Sequence, residues 1–324
     1  MTSTLVTGAS GFVGRALVAE LLARGIRTRG TVRRATTLHS EADCVAVGEV
    51  DNRTDWHEAL TGVRSLVHLA ARAHVMHESA ADPLAVFRAI NTEGTLNLAQ
   101  QAAEAGVCRF VFVSTIKVNG EGRDTPYTES DLASPQNPYA ISKGEAEQGL
   151  RDIAARTGME MVILRPPLVY GPGVGGNFLR LMHVIDKGWV LPLGGVTNRR
   201  SLIYLGNLVD AIIACLAHPG ASNKTFLLSD DEDVSTPELI RRLAAALHRP
   251  ARLVPISHAL LRIAGATLGK RQAVNRLLGS LTIDGNAYRS GLSWSPPISM
   301  ETGLAETTAW YRINCQRYSA RLFK

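Results

Sequence analysis

The sequence predicts an α/β fold: a doubly wound parallel sheet with helices on both faces, followed by a smaller, mostly helical C-terminal lobe. Two observations carry this. Short apolar runs alternate with helical stretches through the first half, and a glycine-rich loop joins the first strand to the first helix. After Arg165 the texture changes, because Pro166, Pro167, Gly171, Pro172, Gly173, Gly175 and Gly176 interrupt regular structure, and from about Thr236 helical segments dominate.

Taken in order, the apolar runs place strands at Thr4–Thr7, Arg27–Arg33, Cys44–Val47, Ser65–Ala70, Arg109–Ser114 and Met161–Arg165. Helices are expected at Phe12–Arg24, Pro83–Ala105 and Pro138–Thr157. Leu202–Ala217 is apolar again and reads as a strand and helix returning to the first unit. The first unit is therefore residues 1–170 joined by about 201–218. A discontinuous second lobe takes 171–200 and 219–324, and the cleft between them is the expected site. Residues 255–283 are apolar with scattered basic side chains (Arg262, Lys270, Arg271, Arg276). They read as a buried lobe helix or as an amphipathic helix lying on a membrane surface. Gly265, Gly269 and Gly279 weaken one long helix and favour the buried reading.

Composition narrows the class. The chain has 324 residues, 45% hydrophobic and 20% charged, as an ordinary soluble globular protein does. No run approaches a membrane span, and the N-terminus enters structure directly without the regions of a signal peptide. Cys44, Cys108, Cys215 and Cys315 are far apart with no Cys-x-x-Cys pair, so a reducing cytoplasm is expected and zinc or disulfide frameworks are not. The net charge of +6 suggests an anionic partner. The arginines are spread out and aromatics are only 6%, so a phosphate-bearing small molecule fits better than nucleic acid.

The loop Thr7-Gly-Ala-Ser-Gly-Phe-Val-Gly14 sits between strand and helix, where a dinucleotide's pyrophosphate would lie. Gly8 permits the tight turn, Gly11 lets backbone approach a phosphate, and Gly14 allows close helix–strand packing. The helix N-terminus adds free N–H groups and a positive dipole end. Beyond the second strand the chain reads Gly30-Thr-Val-Arg-Arg34, with no acid to hold ribose hydroxyls. Arg33 or Arg34 suits a 2′-phosphate, so the loop implies a Rossmann-like unit that prefers NADP(H), with NAD(H) possible. Farther on, Tyr139 and Lys143 stand at i and i+4 and share a helix face. The ammonium is expected to lower the phenol from its usual value near ~10, toward what an acid/base at neutral pH needs.

With these motifs in this order, the chain resembles the extended short-chain dehydrogenase/reductase family over essentially its whole length. The likeness also includes His68-Leu-Ala-Ala71, Asn91-x-x-Gly-Thr95, Ser114-Thr115, Arg165-Pro-Pro-Leu-Val-Tyr-Gly-Pro172 and Arg200-Ser-Leu-Ile-Tyr-Leu-Gly-Asn-Leu-Val-Asp-Ala211. It is similar to nucleotide-sugar enzymes of the UDP-glucose 4-epimerase kind. Ser114-Thr-Ile-Lys-Val-Asn-Gly-Glu121 looks particularly like bacterial 4-keto-6-deoxy-sugar-nucleotide reductases of polysaccharide biosynthesis.

The resemblance implies catalytic roles for Thr115, Tyr139 and Lys143. It implies cofactor contacts at Gly8, Ser10, Gly11, Phe12, Val13, Gly14, Arg33, Arg34, Glu49, Val50, Leu69, Ala70, Ala71 and Pro166, with Tyr139 and Lys143 again. Thr115, Asn177 and Arg200 would contact a nucleotide-sugar substrate, and Asn91 would link toward Lys143 through water or backbone. A homodimer is implied by the same likeness. Glu49 departs from the family pattern, which has Asp near the adenine, and Asp51 is the other candidate for that contact.

The expected activity is NADP(H)-dependent reduction of the C4 ketone of a nucleotide-linked, UDP-linked deoxysugar. The rivals are a 4-epimerase that retains NAD, a reductase of a non-sugar carbonyl, and a dinucleotide-sensing regulator without catalysis. His74 and His77 lack a third ligand, so no metal is expected. Trp189 and Tyr204 read as core packing, with flanking of a base or sugar as the alternative.

Overall fold

The computed structural model describes residues 3–34, 42–73, 82–269 and 271–319. Its first half runs β1 (Ser3–Thr7), α1 (Phe12–Ala23), β2 (Thr28–Val32), β3 (Asp43–Ala46), α2 (His57–Leu60), β4 (Val63–His68), α3 (Pro83–Arg88), α4 (Gly94–Glu104), β5 (Arg109–Val113), α5 (Pro138–Thr157) and β6 (Glu160–Arg165). The second half runs β7 (Leu168–Tyr170), α6 (Gly176–Asp186), β8 (Arg200–Tyr204), α7 (Leu205–Ala217), β9 (Lys224–Leu227), β10 (Asp233–Val234), α8 (Thr236–Ala246), α9 (His258–Thr267), α10 (Arg271–Leu278), α11 (Asn286–Leu292) and α12 (Met300–Ser319).

The main sheet has seven parallel strands in the order β3-β2-β1-β4-β5-β6-β9. Successive strand side chains point to opposite faces, and the packing follows. Val6, Val67, Val111 and Val162 meet Leu17 and Leu21 of α1 and Leu208 and Ile212 of α7. Leu5, Leu66, Phe110 and Ile163 meet Leu98 of α4 and Leu150 and Ile153 of α5 on the other face. The strand order reverses between β1 and β4, so a crevice opens at their C-terminal ends, where α/β sheets bind ligands.

Two parts of the predicted layout are corrected. Strand β8 does not rejoin the main sheet; it pairs with β7 and β10 in a separate three-stranded sheet. Only α7 returns, packing against α1 and tied to it by the Arg24–Asp210 ion pair. The seventh strand of the main sheet is instead β9, from a stretch assigned to the lobe, and it pairs with β6 from Val162↔Lys224 to Arg165↔Leu227.

The lobe has its own core, in which Tyr170, Phe178, Met182, Ile240, Leu243 and Leu304 pack together. Buried Asp230 joins the two regions: it accepts from the Tyr170 hydroxyl at 2.9 Å, the Tyr204 amide and the Asn207 side chain at 2.8 Å. Tyr204 is in the lobe core as expected, whereas Trp189 is 56% exposed. Residues 255–283 also depart from the buried-helix reading. They form two short helices, α9 and α10, that turn at Gly269 (φ 65°), and Leu260, Ile263 and Leu268 face solvent. No described helix is long and apolar enough to cross a membrane.

Candidate active site

The phosphate loop is built around its glycines. Gly8 adopts φ 65°, and a Cβ there would lie 2.9 Å from the Ala70 amide nitrogen. A Cβ on Gly14 would lie 2.2 Å from the Gly8 carbonyl oxygen, which only glycine tolerates. Helix α1 begins after Gly11 with no side-chain cap and no acid in its first turn, so its N-terminal amides and positive dipole end are available to an anion. Such a cradle fits a dinucleotide's pyrophosphate. Ser10 and Gly11 are exposed at its rim, and Phe12 and Val13 are half-buried.

Residues 69–71 form the facing wall and are positioned by a buried relay. Thr7 Oγ1 accepts from the amides of Leu69 (3.1 Å) and Ala70 (3.3 Å), so its own proton goes to His68 Nδ1 at 2.7 Å. His68 Nε2–H then donates to Thr95 Oγ1 at 3.0 Å, and Thr95 donates to the Asn91 carbonyl at 2.7 Å. Burial, and secondarily the charge of Lys143, push His68 down to about 3, so it stays neutral and acts as a strut. Ala71 is exposed at the wall's end.

At the end of β2, Arg33 and Arg34 are both exposed, and Arg33 Nη1 lies 3.6 Å from the Glu49 carboxylate. Val50 is buried against Gly94. Asp51, the other adenine-side candidate, is engaged in its own turn and accepts from the Arg53 amide at 2.8 Å.

Helix α5 carries Tyr139 and Lys143. Asn137 caps it by accepting from the Ala140 amide at 2.9 Å, Pro138 takes the first position, and Gly158 ends it at φ 76°. A π turn at Ala89–Glu93 presents buried Asn91 to this helix. The Asn91 side chain bonds the Arg72 amide (2.8 Å) and carbonyl (3.1 Å) and donates to Ser142 Oγ at 3.0 Å; Ser142 donates to the Tyr139 carbonyl at 2.8 Å. The link expected from Asn91 toward Lys143 thus goes to the neighbouring Ser142.

Tyr139 is half-buried and packs edge-on against Phe87 at 6.2 Å. The Lys143 ammonium is buried 3.8 Å from the Phe112 ring centre. Here the expected electrostatics reverse. Burial pushes the phenol up to about 12 and the lysine down to about 7, although Glu147 acts to raise the latter. Loss of water sets both shifts, since burial disfavours the charged form of each group.

Thr115 follows β5, buried, with its hydroxyl accepting from the Lys117 amide at 3.3 Å. Pro166 is buried after β6, and its carbonyl accepts from the Ile116 amide at 3.0 Å. Sequence reading missed the buried group that fixes both strand ends. Glu147 Oε1 accepts from Ser114 Oγ (2.6 Å) and Arg165 Nε (2.9 Å), and its Oε2 pairs with Arg165 Nη2 at 2.5 Å. The signal was available, since Tyr139, Lys143 and Glu147 repeat every four residues along one helix face.

The two remaining substrate candidates sit on different elements, α6 and β8. Asn177 is exposed in the first turn of α6, whose cap is Gly175. Arg200 donates to the carbonyls of Arg276 (2.6 Å) and Gly279 (3.3 Å), and burial lowers its pKa. An open cavity of about 750 Å³ lies nearby, lined by Asn198, His258, Arg262, Arg271 and Asn275; Tyr139 and Thr115 are not among its walls. Among the described residues no cluster of His, Cys, Asp and Glu is placed to hold a metal, and His74 and His77 fall outside them.

Comparison with known proteins adds four findings. The model of the NAD dependent epimerase/dehydratase family matches residues 4–228. The chain is 43% identical over 309 residues to a UDP-glucose 4-epimerase of Vibrio cholerae, covering 94% of each. Among solved structures, MoeE5 in complex with UDP-glucose and NAD is 25% identical with a TM-score of 0.76, covering 97% of this chain and 99% of that one. DesIV, a dTDP-glucose 4,6-dehydratase of Streptomyces venezuelae solved with NAD, is 26% identical with a TM-score of 0.78, covering 98% of each.

Proposed function

Since the chain belongs to the NAD dependent epimerase/dehydratase family, we propose that this extended short-chain dehydrogenase/reductase-type enzyme reduces the C4 ketone of a nucleotide-linked, UDP-linked deoxysugar with NADP(H). The observation that carries the reading is the end of β2, where Arg33 and Arg34 stand exposed and no acid follows the strand directly. A guanidinium there can take a 2′-phosphate bidentately. Tyr139, held at about 12 by burial, is protonated at neutral pH and so enters the reaction in its acid form.

The Gly8–Gly14 loop and the Leu69–Ala71 wall would hold the dinucleotide, which supplies the hydride when bound. Tyr139 gives its phenolic proton to the C4 oxygen as that oxygen gains charge. Thr115 hydrogen-bonds the same oxygen and fixes its approach to Tyr139. Lys143, one turn farther along the same helix face, stabilises in its protonated form the phenolate left after transfer. Asn177 and Arg200 contact the nucleotide diphosphate.

A second reading is a UDP-sugar 4-epimerase that keeps NAD through each cycle. The 43% identical Vibrio cholerae relative favours it, and so does Glu49, whose carboxylate lies 3.6 Å from Arg33 and puts a negative charge where a 2′-phosphate would have to approach. Analysis of the dinucleotide carried by the purified protein, with NADPH oxidation followed on a UDP-4-keto-6-deoxysugar, separates the two. A reductase consumes one NADPH per sugar, and Arg33→Ser/Arg34→Ser shifts its preference toward NADH. Stoichiometric bound NAD, with interconversion of 4-epimers and no net NADPH consumption, would establish the epimerase.

A further inference from the structure

We propose that the α9–α10 hairpin and the adjoining Trp189–Val190 edge form a docking face for the surface of an anionic phospholipid bilayer. The first observation is where apolar side chains are exposed. Of the nine most exposed large hydrophobic residues among those described, six are Trp189, Val190, Val254, Leu260, Ile263 and Leu268. They are joined in the fold, because Leu191 donates to the Arg252 carbonyl at 2.8 Å and Val254 donates to the Leu191 carbonyl at 3.0 Å. Helix α9 then starts at His258.

The helix presents two faces. Its inner side holds Leu261, which joins the lobe core, and Gly265, which lies against Val274 of α10. Its outer side holds Leu260, Ile263, Ala264 and Thr267, at the i, i+3, i+4, i+7 spacing of a single stripe. A core helix would not leave its larger aliphatic side chains in water on that stripe.

The second observation is charge. No Asp or Glu occurs from Leu239 to Ile283, whereas eight Lys or Arg do. The rest of the chain has the other 27 Lys and Arg against all 29 Asp and Glu, so the whole positive excess resides here. Arg241, Arg242 and Arg249 are paired with Glu238, Glu232 and Asp186. Arg252, Arg262 and Arg271 have no carboxylate partner among the described residues.

These two features together select the occupant. An exposed aliphatic stripe, with a tryptophan on the adjoining edge and arginines lacking carboxylate partners on the same segments, two of them at the open cavity's wall, is the composition of an amphipathic helix lying in a lipid interface. Negative lipid headgroups would meet the arginines while the stripe enters the acyl boundary. A second copy of this chain would set like charges against each other, and a nucleic acid would leave the stripe in water.

The test is flotation of the full-length protein with phosphatidylcholine vesicles containing phosphatidylglycerol, and with phosphatidylcholine alone. Binding is expected to the anionic vesicles only, to weaken with salt, and to fall at least about tenfold in Leu260→Ser/Leu268→Ser. Turnover of a soluble nucleotide sugar should be unchanged in that variant, and Arg252→Glu should weaken vesicle binding independently. Three outcomes would overturn the proposal: no vesicle binding, equal binding to both vesicle types, or a dimer of the native chain that the leucine variant dissociates. It would equally fall if the leucine variant kept vesicle binding and lost turnover, since the face would then close over substrate. Vesicle binding is read without turnover, so it stands or falls separately from the proposed reaction.

Discussion

Glu147 Oε2 and Arg165 Nη2 meet at 2.5 Å in the interior, with both side chains at least 94% buried. The pair joins α5, which carries Tyr139 and Lys143, to β6, which leads into Pro166, and Glu147 also takes the Ser114 hydroxyl next to Thr115. Removing one partner strands a charge in the buried interior. Glu147→Gln is therefore expected to cost about 3–5 kcal/mol, read by urea or thermal unfolding. Glu147→Leu/Arg165→Met removes both charges and should be less destabilised than Arg165→Met alone. Equal losses would show that the ion pair is not the coupling between helix and strand.

Tyr139→Phe removes a hydroxyl that has no hydrogen bond to the described residues. Stability should change little, while kcat falls about 10²–10⁴-fold, as loss of a general acid does. Dinucleotide affinity, measured by fluorescence titration, should stay within a few-fold. Unchanged turnover on a competent keto-sugar would refute the acid role.

His68 sets an acid limit on stability. Its folded value is about 3 and its ordinary value 6.5, so below about pH 6.5 the unfolded chain takes up a proton that the native state refuses. This contribution is full above pH 6.5 and is lost as pH falls toward 3, on the order of 5 kcal/mol if complete. Lys143 acts on a higher window with the same sign: held at about 7 against 10.5, it makes stability rise as pH climbs between those values. His68→Gln should flatten the dependence of unfolding free energy on pH between 6.5 and 4. A parallel curve would mean that His68 takes up its proton in the native state.

Gly14→Ala tests the cradle. The new Cβ would lie 2.2 Å from the Gly8 carbonyl and 2.8 Å from Ala9 Cα, so the loop must open. Loss of dinucleotide binding is expected, with destabilisation of about 1–3 kcal/mol. Gly25→Ala is the control: it has nothing within 4 Å but a φ of 71°, and should cost about 1–2 kcal/mol without affecting binding.

Features encoded locally were readable from the sequence. The glycine loop, the span of α5 from Pro138 to Thr157 and the spacing of Tyr139 and Lys143 each depend on neighbouring residues. What escaped depends on partners far along the chain. Lys224–Leu227 is a four-residue run that becomes a strand because β6 lies beside it, and β8 looks like any apolar strand until β7 and β10 claim it. Glu147 looks like a solvated helix residue unless Arg165 is known to face it. The expected lowering of the Tyr139 pKa failed for a related reason, since spacing shows that a lysine is near but not how much water both groups lose.

Strand β9 has a consequence for how the polypeptide is made. A ribosome that has delivered the chain through Arg165 has supplied six strands of the main sheet, with β6 as a bare edge. The strand that covers it emerges only after β7, α6, β8 and α7. During that interval Val162–Arg165 offers unpaired amides and carbonyls to any extended segment nearby. Vectorial synthesis therefore leaves the main-sheet half unfinished until part of the lobe exists, and a gene truncated near codon 170 encodes a sticky fragment rather than a separable module.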